Sequence, residues 1–338
     1  MFTAEYGGIN SFLVGASKLL LEEGVKRETR GKICYELPEP FMFKITNPKS
    51  RWITIPERKW NVALAYAESL WLASGRNDLE MITRYLNRMK DFSDDGITMR
   101  GGYGPRLRKY NGNCNDYNIN SSLQNSKEHS FNEIDQIKFV IKCFEKDINT
   151  RQAIITIGDP TKDCFDKSGN LKKTNDFPCT RSLQFMKHPT ENRLNLTVYM
   201  RSNDLLWGAS AVNIFNFTFI QEYIARILNL QVGEYFHIAN NFHYYEEKRQ
   251  IIDRISKVQN FTDESYDYKC SFKTLKEFDL KVGKLENIES DFYNNNEKLV
   301  DFEDDFFNDW NKVLYHTNTK KAVEFSNPIL NQLFNSKM

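Results

Sequence analysis

Apolar positions with helical spacing run through several stretches of this chain. In residues 8–24 the apolar side chains recur at helical intervals, which predicts an amphipathic helix. Residues 60–74 are apolar almost throughout and stop at Gly75, which is typical of a buried helix with a glycine after its last turn. Helical spacing also marks residues 79–91, 133–146 and 213–229.

Alternation of apolar and polar positions predicts strands between these helices. The clearest case is residues 193–201, where Leu194, Leu196 and Val198 point to one face. Further strand patterns cover residues 33–43, 151–158, 181–187 and 234–245. Because helices and strands are intermixed and no internal repeat is visible, the sequence predicts an α+β fold.

Polar stretches separate or follow these elements. Residues 109–128 are rich in Asn, Ser and Gly and indicate a loop, and residues 160–176 form a polar insertion. After the last strand pattern the chain turns polar, and residues 280–309 are acidic with interleaved Phe and Trp. Since no linker stands out, we predict one main domain over residues 1–250 and a C-terminal extension over 251–338 that packs on it.

Charge balance limits the classes of ligand. The 338 residues include 46 Lys+Arg and 45 Asp+Glu, for a net charge of +1. A dedicated nucleic-acid-binding protein usually has a basic excess or stripe, so this role is not expected, whereas a few clustered arginines suffice for a small anion. No apolar run approaches the ~18 residues of a membrane span, and the N-terminal residues lack the basic region of a signal peptide. We therefore expect a cytoplasmic protein without a membrane segment.

Six cysteines are spread along the chain without CxxC pairs. Their spacing argues against a zinc site, so we expect no metal, and a chain of this length does not indicate a disulfide framework. Cys179 follows Phe177 and Pro178 between the polar insertion and a predicted strand, where a side chain can face a cleft. Taken alone, such a segment more often surrounds a buried structural cysteine.

A later predicted strand ends in an arginine and a hydroxyl group, Arg201 and Ser202. They suit a phosphate, because a guanidinium can bond two oxygens and the serine a third. A solvated turn capped by Asp204 and Asn213 fits this segment equally well. Gly208 would let the backbone approach a ligand closely.

His243 and Tyr245 stand two positions apart at the end of a predicted strand, so both side chains leave the same face. Together they could bind a sugar hydroxyl, although ordinary strand packing is the commoner use of such a pair. Pairing Cys179 with His243 would instead suggest a cysteine hydrolase. That alternative leaves the arginines and Asn213 without a role.

The order and spacing of these motifs resemble those of thymidylate synthases over roughly residues 10–250. The resemblance rests on seven segments: PCxxxxQF at 178–185, which contains Gln184; RSxD at 201–204; the turn from Gly208 to Asn213; HxY at 243–245; Glu68 to Trp71 with Gly75; Tyr103-Gly104; and Asn149 to Arg151. It implies a large mixed β-sheet packed against helices.

The resemblance also implies a covalent mechanism. Cys179 would add to C6 of a pyrimidine nucleoside monophosphate, and 5,10-methylenetetrahydrofolate would donate a one-carbon group to C5. The remaining roles that it implies are phosphate binding for Arg201, Ser202 and Arg30 (or Arg27), base recognition for Asn213, sugar binding for His243 and Tyr245, a place near base and folate for Asp204, proton transfer for Glu68 and Tyr103, and nucleotide contact for Gln184 and Gly208.

Arg151 would, by the same resemblance, reach the phosphate bound by a neighbouring subunit. A shared site of this kind implies a homodimer.

Several positions depart from the synthase pattern. Thr180 stands where synthases have histidine, Met200 where they have glutamine and Gln152 where they usually have a second arginine. The apolar C-terminal tail that closes over folate is not visible. Cys-Thr, Met-Arg-Ser-Asn-Asp and the insertion at 160–176 are closer to the phage dCMP hydroxymethylases, a sister family.

Asn213 favours uracil, since an amide can donate to O4 and accept from N3–H, whereas hydroxymethylases that act on cytosine use aspartate there. One extra residue separates Gly208 from Asn213 compared with the synthases. We predict conversion of dUMP to dTMP, with hydroxymethylation of dUMP, dCMP or CMP as the alternative. A catalytically inactive nucleotide-binding relative is a further alternative, against which the retention of Cys179, Glu68 and Tyr103 argues.

Overall fold

The computed structural model of this chain describes residues 1–29, 31–117, 133–294 and 298–335. Within these residues the strands are β1 (Phe2–Tyr6), β2 (Val25–Thr29), β3 (Lys32–Glu36), β4 (Phe41–Ile45), β5 (Ile154–Thr156), β6 (Thr180–Lys187), β7 (Arg193–Met200), β8 (Asn203–Asp204), β9 (Gln231–Ala239) and β10 (Phe242–Tyr245). The α-helices are α1 (Ile9–Glu23), α2 (Val62–Ala73), α3 (Leu79–Tyr85), α4 (Tyr103–Arg108), α5 (Gln136–Lys146), α6 (Pro160–Asp163), α7 (Ile214–Ile227), α8 (Arg249–Ser256), α9 (Leu275–Tyr293), α10 (Asp305–Thr319) and α11 (Pro328–Asn335). A π-helix covers Leu205–Asn213, and 3-10 helices cover Pro56–Arg58, Asn87–Phe92 and Glu246–Lys248.

A sheet of six described strands forms the centre of the molecule, in the order β1-β4-β9-β7-β6-β5. The pairs β1–β4 and β9–β7 are parallel and the others antiparallel. The alternation predicted in β7 is present, because Leu194, Leu196 and Val198 are buried while Tyr199 is exposed on the opposite face. This mixed sheet with its helices confirms the predicted α+β class.

A smaller sheet, β2-β3-β10-β8, positions polar side chains beside the central one. Strand β10 pairs with β3 and with β8, so His243 lies opposite both Glu36 and Asp204. The prediction of one strand over 234–245 is wrong, because the chain leaves the central sheet after β9 and β10 joins the smaller sheet. The backbone N–H of Asn240, between the two strands, donates to the carbonyl of Met200 at 2.9 Å.

Helix α2 is buried on nearly all sides, as its apolar sequence predicts. The side chain of Asn61 caps its first turn by accepting from the Leu64 N–H at 3.1 Å. The chain leaves the helix at Gly75, whose φ of +74° lies in the left-handed region that favours glycine. A Cβ there would also lie 3.0 Å from the Cβ of Arg108.

The helix predicted over 79–91 is interrupted. It ends at Tyr85, because Leu86 adopts an extended conformation with φ of −153°, and a 3-10 helix follows. The break turns Leu86 and Met89 toward the cavity described below.

The segment after residue 250 packs on the remainder, with α9 and α10 in contact with α2. Glu289 of α9 is buried and accepts from Arg84 at 3.0 Å, and Trp310 of α10 donates to the carbonyl of Tyr66 at 2.8 Å. The domain boundary itself stays a prediction. No described helix is both long and apolar enough to cross a membrane.

Candidate active site

A cavity of about 680 Å³ opens between α2, the π-helix and the smaller sheet, beside the start of β6. This volume is typical of pockets for small organic ligands. It is lined by ten of the residues that the sequence singled out: Glu68, Tyr103, Cys179, Arg201, Ser202, Asp204, Gly208, Asn213, His243 and Tyr245.

Two further predicted residues do not join this lining in the described structure. Gln184 lies on the opposite face of β6 from the buried Phe185 side chain, and donates to the Arg151 carbonyl at 3.2 Å. The Arg151 side chain is exposed. The structure therefore does not bring Gln184 to the nucleotide pocket of its own chain. Arg30 lies outside the described residues, whereas Arg27, the other candidate, lines the cavity.

Arg201 fixes the position of Cys179. Its Nη2 lies 3.5 Å from the Cys179 Sγ and donates to the carbonyl of Phe177 at 2.7 Å, while its Nε donates to the carbonyl of Pro178 at 3.0 Å. The guanidinium also lies over the Phe177 ring, 4.8 Å from its centroid. The arrangement holds the cysteine loop and places a positive charge where it would attract a thiolate.

Ser202 begins a chain of polar contacts across the smaller sheet. Its Oγ donates to the Oδ1 of Asn241 at 2.9 Å, and Asn241 donates to Glu36 at 2.6 Å. Glu36 is in turn paired with Arg27. Sequence reasoning missed Glu36 and Asn241, because they approach Ser202 only through strand pairing that no local motif reveals.

The α-helix predicted to start near Asn213 is present as α7, but the structure places a further helical element before it. The helical segment begins at Leu205, and its first nine residues, Leu205–Asn213, form a π-helix. A π-helix accommodates an additional residue within a helical segment, so the extra residue between Gly208 and Asn213 does not carry Asn213 away from the cavity.

Side chains from the segment before α2 bond the carbonyl groups of this π-helix. Arg58 donates to the Leu206 carbonyl at 2.6 Å and to the Ser210 Oγ at 3.0 Å. Trp60 donates to the Ala211 carbonyl at 2.8 Å. Carbonyl groups that would be left unpaired by the altered helical geometry thus have partners.

Asn213 is held by a second asparagine. Its Nδ2 donates to the Oδ1 of Asn203 at 3.2 Å and lies 3.7 Å from the sulfur of Met200. Gly208 provides the space for this pair, because a Cβ there would lie 2.3 Å from the Asn203 Oδ1 and 3.2 Å from the Asn213 Nδ2. Asn203 is the variable position of the RSxD motif and was therefore not predicted.

Glu68 faces the cavity from α2. Its Oε1 accepts from the Nδ2 of Asn216 at 3.0 Å, and Ser69 donates to the other end of that amide at 2.8 Å. Burial raises the pKa of Glu68 to about 8, against the smaller lowering effect of the Asn216 bond. The group is accordingly protonated at neutral pH and able to donate a proton.

Tyr103 lies beside the cysteine. Its hydroxyl oxygen accepts from the backbone N–H of Thr180 at 3.1 Å. Burial raises the pKa of Tyr103, and the neighbouring Cys179 raises it further, so the phenol stays protonated and can donate to a ligand.

His243, Tyr245 and Asp204 line another wall of the cavity. The rings of His243 and Tyr245 meet edge to face with centroids 5.3 Å apart, so the two side chains share one face. The His243 Nε2 lies 4.0 Å from the Oδ2 of Asp204. Burial raises the pKa of Asp204, whereas His243 lowers it, and the Asp204 side chain also accepts from the backbone N–H of Trp207.

Asp176 is a cavity residue that sequence reasoning missed, although it precedes Cys179 by only three positions. Its Oδ2 accepts from the Gly101 N–H at 2.7 Å. Burial raises the pKa of Asp176 to about 6, partly offset by the Gly101 bond and by Arg100. Its carboxyl group is thus suited to exchange a proton near neutral pH.

Among the residues that the structure describes, no group of three or more His, Cys, Asp or Glu side chains is arranged to hold a metal ion. The polar groups of the cavity are instead hydrogen-bond donors and acceptors around a cysteine.

Several known proteins are similar to this chain. The sequence profile described as Thymidylate synthase matches residues 15–299. The deoxyuridylate hydroxymethyltransferase of Bacillus phage SP01 is 34% identical over 241 residues, which is 71% of this chain and 58% of that protein. That of Pseudomonas phage M6 is 32% identical over 225 residues, 67% of this chain and 56% of the relative. The chain thus spans little more than half the length of these phage relatives.

Thymidylate synthases are similar at lower identity. That of Buchnera aphidicola subsp. Schizaphis graminum is 26% identical over 213 residues, 60% of this chain and 69% of that protein. Among solved structures, thermostable thymidylate synthase A from Bacillus subtilis matches with a TM-score of 0.59 and 18% identity, over 79% of this chain and 91% of that one. The structural likeness concerns the fold alone. Because the family profile matches most of the sequence, this chain belongs to the thymidylate synthase family.

Proposed function

We propose that this protein transfers a one-carbon group from 5,10-methylenetetrahydrofolate to C5 of deoxyuridylate through a covalent adduct on Cys179. The observation that carries the proposal is the convergence of ten motif residues from distant parts of the chain on one cavity. These residues supply a nucleophile, cationic and hydroxyl groups for a phosphate, an amide for the base and protonated groups near the cysteine.

The chemistry accounts for this combination. C5 of uracil is a poor nucleophile, but a thiolate that adds at C6 makes C5 an enolate carbon. That carbon can attack the methylene-iminium form of the folate, and the thiolate later leaves by elimination. The cation of Arg201, 3.5 Å from the Cys179 sulfur, supports the thiolate. Glu68, protonated at neutral pH, can donate a hydrogen bond to the developing enolate oxygen through water.

We propose Arg201, Ser202 and Arg27 as phosphate ligands. Within the described part of the chain the Nη1 of Arg201 has no hydrogen-bond partner, so it is available for an anion. Ser202 and Arg27 line the same cavity and are linked through Asn241 and Glu36. Arg30 stays a further candidate from the sequence.

The final step divides the family, and we propose that this chain produces the hydroxymethyl nucleotide. After tetrahydrofolate leaves, C5 carries an exocyclic methylene. Water adds to that methylene carbon with formation of one C–O bond, and one water proton passes to a base. The electrons return to the ring, and elimination breaks the bond to the Cys179 sulfur. No oxidant is consumed, and folate leaves as tetrahydrofolate.

Two observations support the hydroxymethyl outcome over the methyl one. The deoxyuridylate hydroxymethyltransferases of Pseudomonas phage M6 and Bacillus phage SP01 are 32% and 34% identical to this chain over 67% and 71% of its length. In addition, Asp176 supplies a buried carboxyl group in the cavity with a pKa of about 6, which can accept the water proton.

Methyl transfer, giving dTMP, is the second candidate. The apolar side chains of Trp71, Leu72 and Trp207 line part of the cavity. Such walls could exclude water from the exocyclic methylene, so that hydride from the folate would reach it first and leave dihydrofolate.

We also propose a homodimer in which Arg151 serves the partner's phosphate. Arg151 is exposed and lies outside the cavity of its own chain. The outer face of the central sheet near it exposes Ile154, Met186 and Tyr199, which a second subunit would cover.

Product analysis tests the proposal. The protein is incubated with methylenetetrahydrofolate and, separately, dUMP, dCMP, UMP and CMP, and each product is identified by mass spectrometry. We expect 5-hydroxymethyl-dUMP from dUMP without dihydrofolate. Formation of dTMP with dihydrofolate would select the second candidate, and absence of any modified nucleotide would overturn both.

A further inference from the structure

A row of buried polar groups continues from Asn213 through Asn203 to His237 and Tyr235, and the last two do not line the cavity. Asn213 donates to the Oδ1 of Asn203 at 3.2 Å, and the Nδ2 of Asn203 lies 3.1 Å from the Nε2 of His237. The Nδ1 of His237 lies 2.7 Å from the hydroxyl of Tyr235. Asn203 is 2% exposed, and His237 and Tyr235 are fully buried, so no solvent replaces these bonds.

The imidazole at the centre of this row is neutral and fixed. Burial lowers the pKa of His237 to about 3. Its ring stacks on Phe43 with centroids 4.7 Å apart and 13° between the planes, which holds its orientation. A neutral imidazole has one donor and one acceptor nitrogen, so the direction of every hydrogen bond in the row depends on which nitrogen carries the proton.

An isolated asparagine would not discriminate between uracil and cytosine. Uracil offers a donor at N3 and an acceptor at O4, whereas cytosine offers an acceptor at N3 and a donor at N4. An amide matches either base if it can turn by half a rotation about its last torsion angle. Selectivity therefore needs a group that prevents Asn213 from turning.

We infer that Asn203, His237 and Tyr235 form a specificity relay that holds Asn213 in the orientation complementary to uracil. Because the Asn203 Oδ1 accepts from Asn213, the Asn203 Nδ2 faces His237 and donates to the His237 Nε2. The His237 Nδ1–H in turn donates to the hydroxyl oxygen of Tyr235. If the Asn213 amide turned, its oxygen would take the place of its Nδ2. That oxygen would then face two acceptors, the Asn203 Oδ1 and the Met200 sulfur, without a hydrogen between them. The relay rests on the proposed function for its ligand, but it concerns residues to which the family motifs assign no role.

Substitutions along the relay give different expectations. Asn203→Leu removes the acceptor for Asn213, and Tyr235→Phe removes the acceptor for the His237 Nδ1–H and so favours the opposite tautomer. Both should reduce the ratio of kcat/KM for dUMP to that for dCMP by roughly tenfold to a hundredfold. Asn203→Asp should keep the ratio, because a carboxylate accepts from Asn213 and also from a His237 Nε2–H.

Tyr66→Phe is the matched control for Tyr235→Phe, since Tyr66 is equally buried and its hydroxyl also has a hydrogen-bond partner, Trp52, which does not belong to the relay. Each variant is first shown to be folded by its thermal unfolding. The dissociation constants of dUMP and dCMP are then measured by calorimetry without folate, alongside kcat/KM. The control should retain the wild-type preference for dUMP.

The relay would be overturned if both Asn203→Leu and Tyr235→Phe kept the preference for dUMP. It would also be overturned if Asn203→Asp lost as much of this preference as Asn203→Leu. A wild type that prefers dCMP would also overturn it. If the wild type binds dUMP selectively, loses that selectivity on Asn203→Leu, yet turns over neither nucleotide, the relay is supported while the proposed function fails.

Discussion

At the scale of single residues, burial gives two carboxyl groups of the cavity different protonation states. The pKa of Glu68 is raised to about 8 and that of Asp176 to about 6, in both cases mainly because the surrounding protein disfavours the charged form. Between these values Glu68 is protonated and Asp176 is ionised. The proposed acid for the enolate, Glu68, and the proposed base for water, Asp176, thus have the required protonation states together only in this interval.

We therefore predict a bell-shaped pH profile for hydroxymethyl formation. The rate should rise as pH passes about 6, because Asp176 ionises, and fall as pH passes about 8, because Glu68 loses its proton. Asp176→Asn should remove the acidic limb and lower hydroxymethyl formation, and Glu68→Gln should lower kcat by roughly a hundredfold or more. A rate that continues to rise above pH 8 would contradict the acid role of Glu68.

The sequence predicted candidate site residues where they belong to local motifs, and ten of these line the cavity. It did not reveal Asp176, Glu36, Asn203 or His237, because their significance comes from neighbours brought together by strand pairing and by the loop before β6. A polar residue at a variable motif position, such as Asn203, carries no sequence signal of its own.

At the scale of elements, the π-helix determines where Asn213 and Gly208 lie. Its carbonyl groups depend on Arg58, which is largely surrounded by protein and whose pKa is lowered by burial to about 10. The altered helix therefore relies on a side chain from a different part of the chain.

We predict that Arg58→Ala loosens this element. Loss of the bonds to Leu206 and Ser210 leaves buried polar groups unpaired, which should lower the free energy of unfolding by about 1–3 kcal/mol and weaken nucleotide binding. Lys59→Ala is the control, since the neighbouring Lys59 side chain is exposed. Chemical denaturation and calorimetric titration with dUMP measure both effects; equal behaviour of the two variants would contradict the role of Arg58.

The spacing of apolar residues predicted which segments are helices and which are strands. It did not predict where these helices and strands are interrupted. The buried alternation of β7 and the apolar α2 were predictable, because one face or all faces of these elements meet the core. The break at Leu86 and the division of 234–245 between two sheets depend on tertiary contacts. Local spacing is continuous across both positions, so it could not show them.

At the scale of the whole molecule, the exposed Arg151 leads to a prediction about assembly. If each site takes Arg151 from the partner, Arg151→Ala and Cys179→Ala chains should each be impaired alone. Heterodimers formed by mixing them should regain activity, because one of their two sites has both an intact cysteine and an intact arginine. Activity is measured on heterodimers isolated with two different affinity tags; no recovery in these would contradict a shared site.

The central claim is covalent catalysis by Cys179, and the measurement that tests it most directly is the intact mass of the protein after incubation with 5-fluoro-dUMP and methylenetetrahydrofolate. Fluorine at C5 cannot leave as the proton does, so the reaction should stop with nucleotide and folate bound to the cysteine. We predict this added mass in the wild type and in Cys143→Ala, which removes another half-buried cysteine, and its absence in Cys179→Ala. A wild type without the adduct, or a Cys179→Ala variant that still acquires it, would contradict the account.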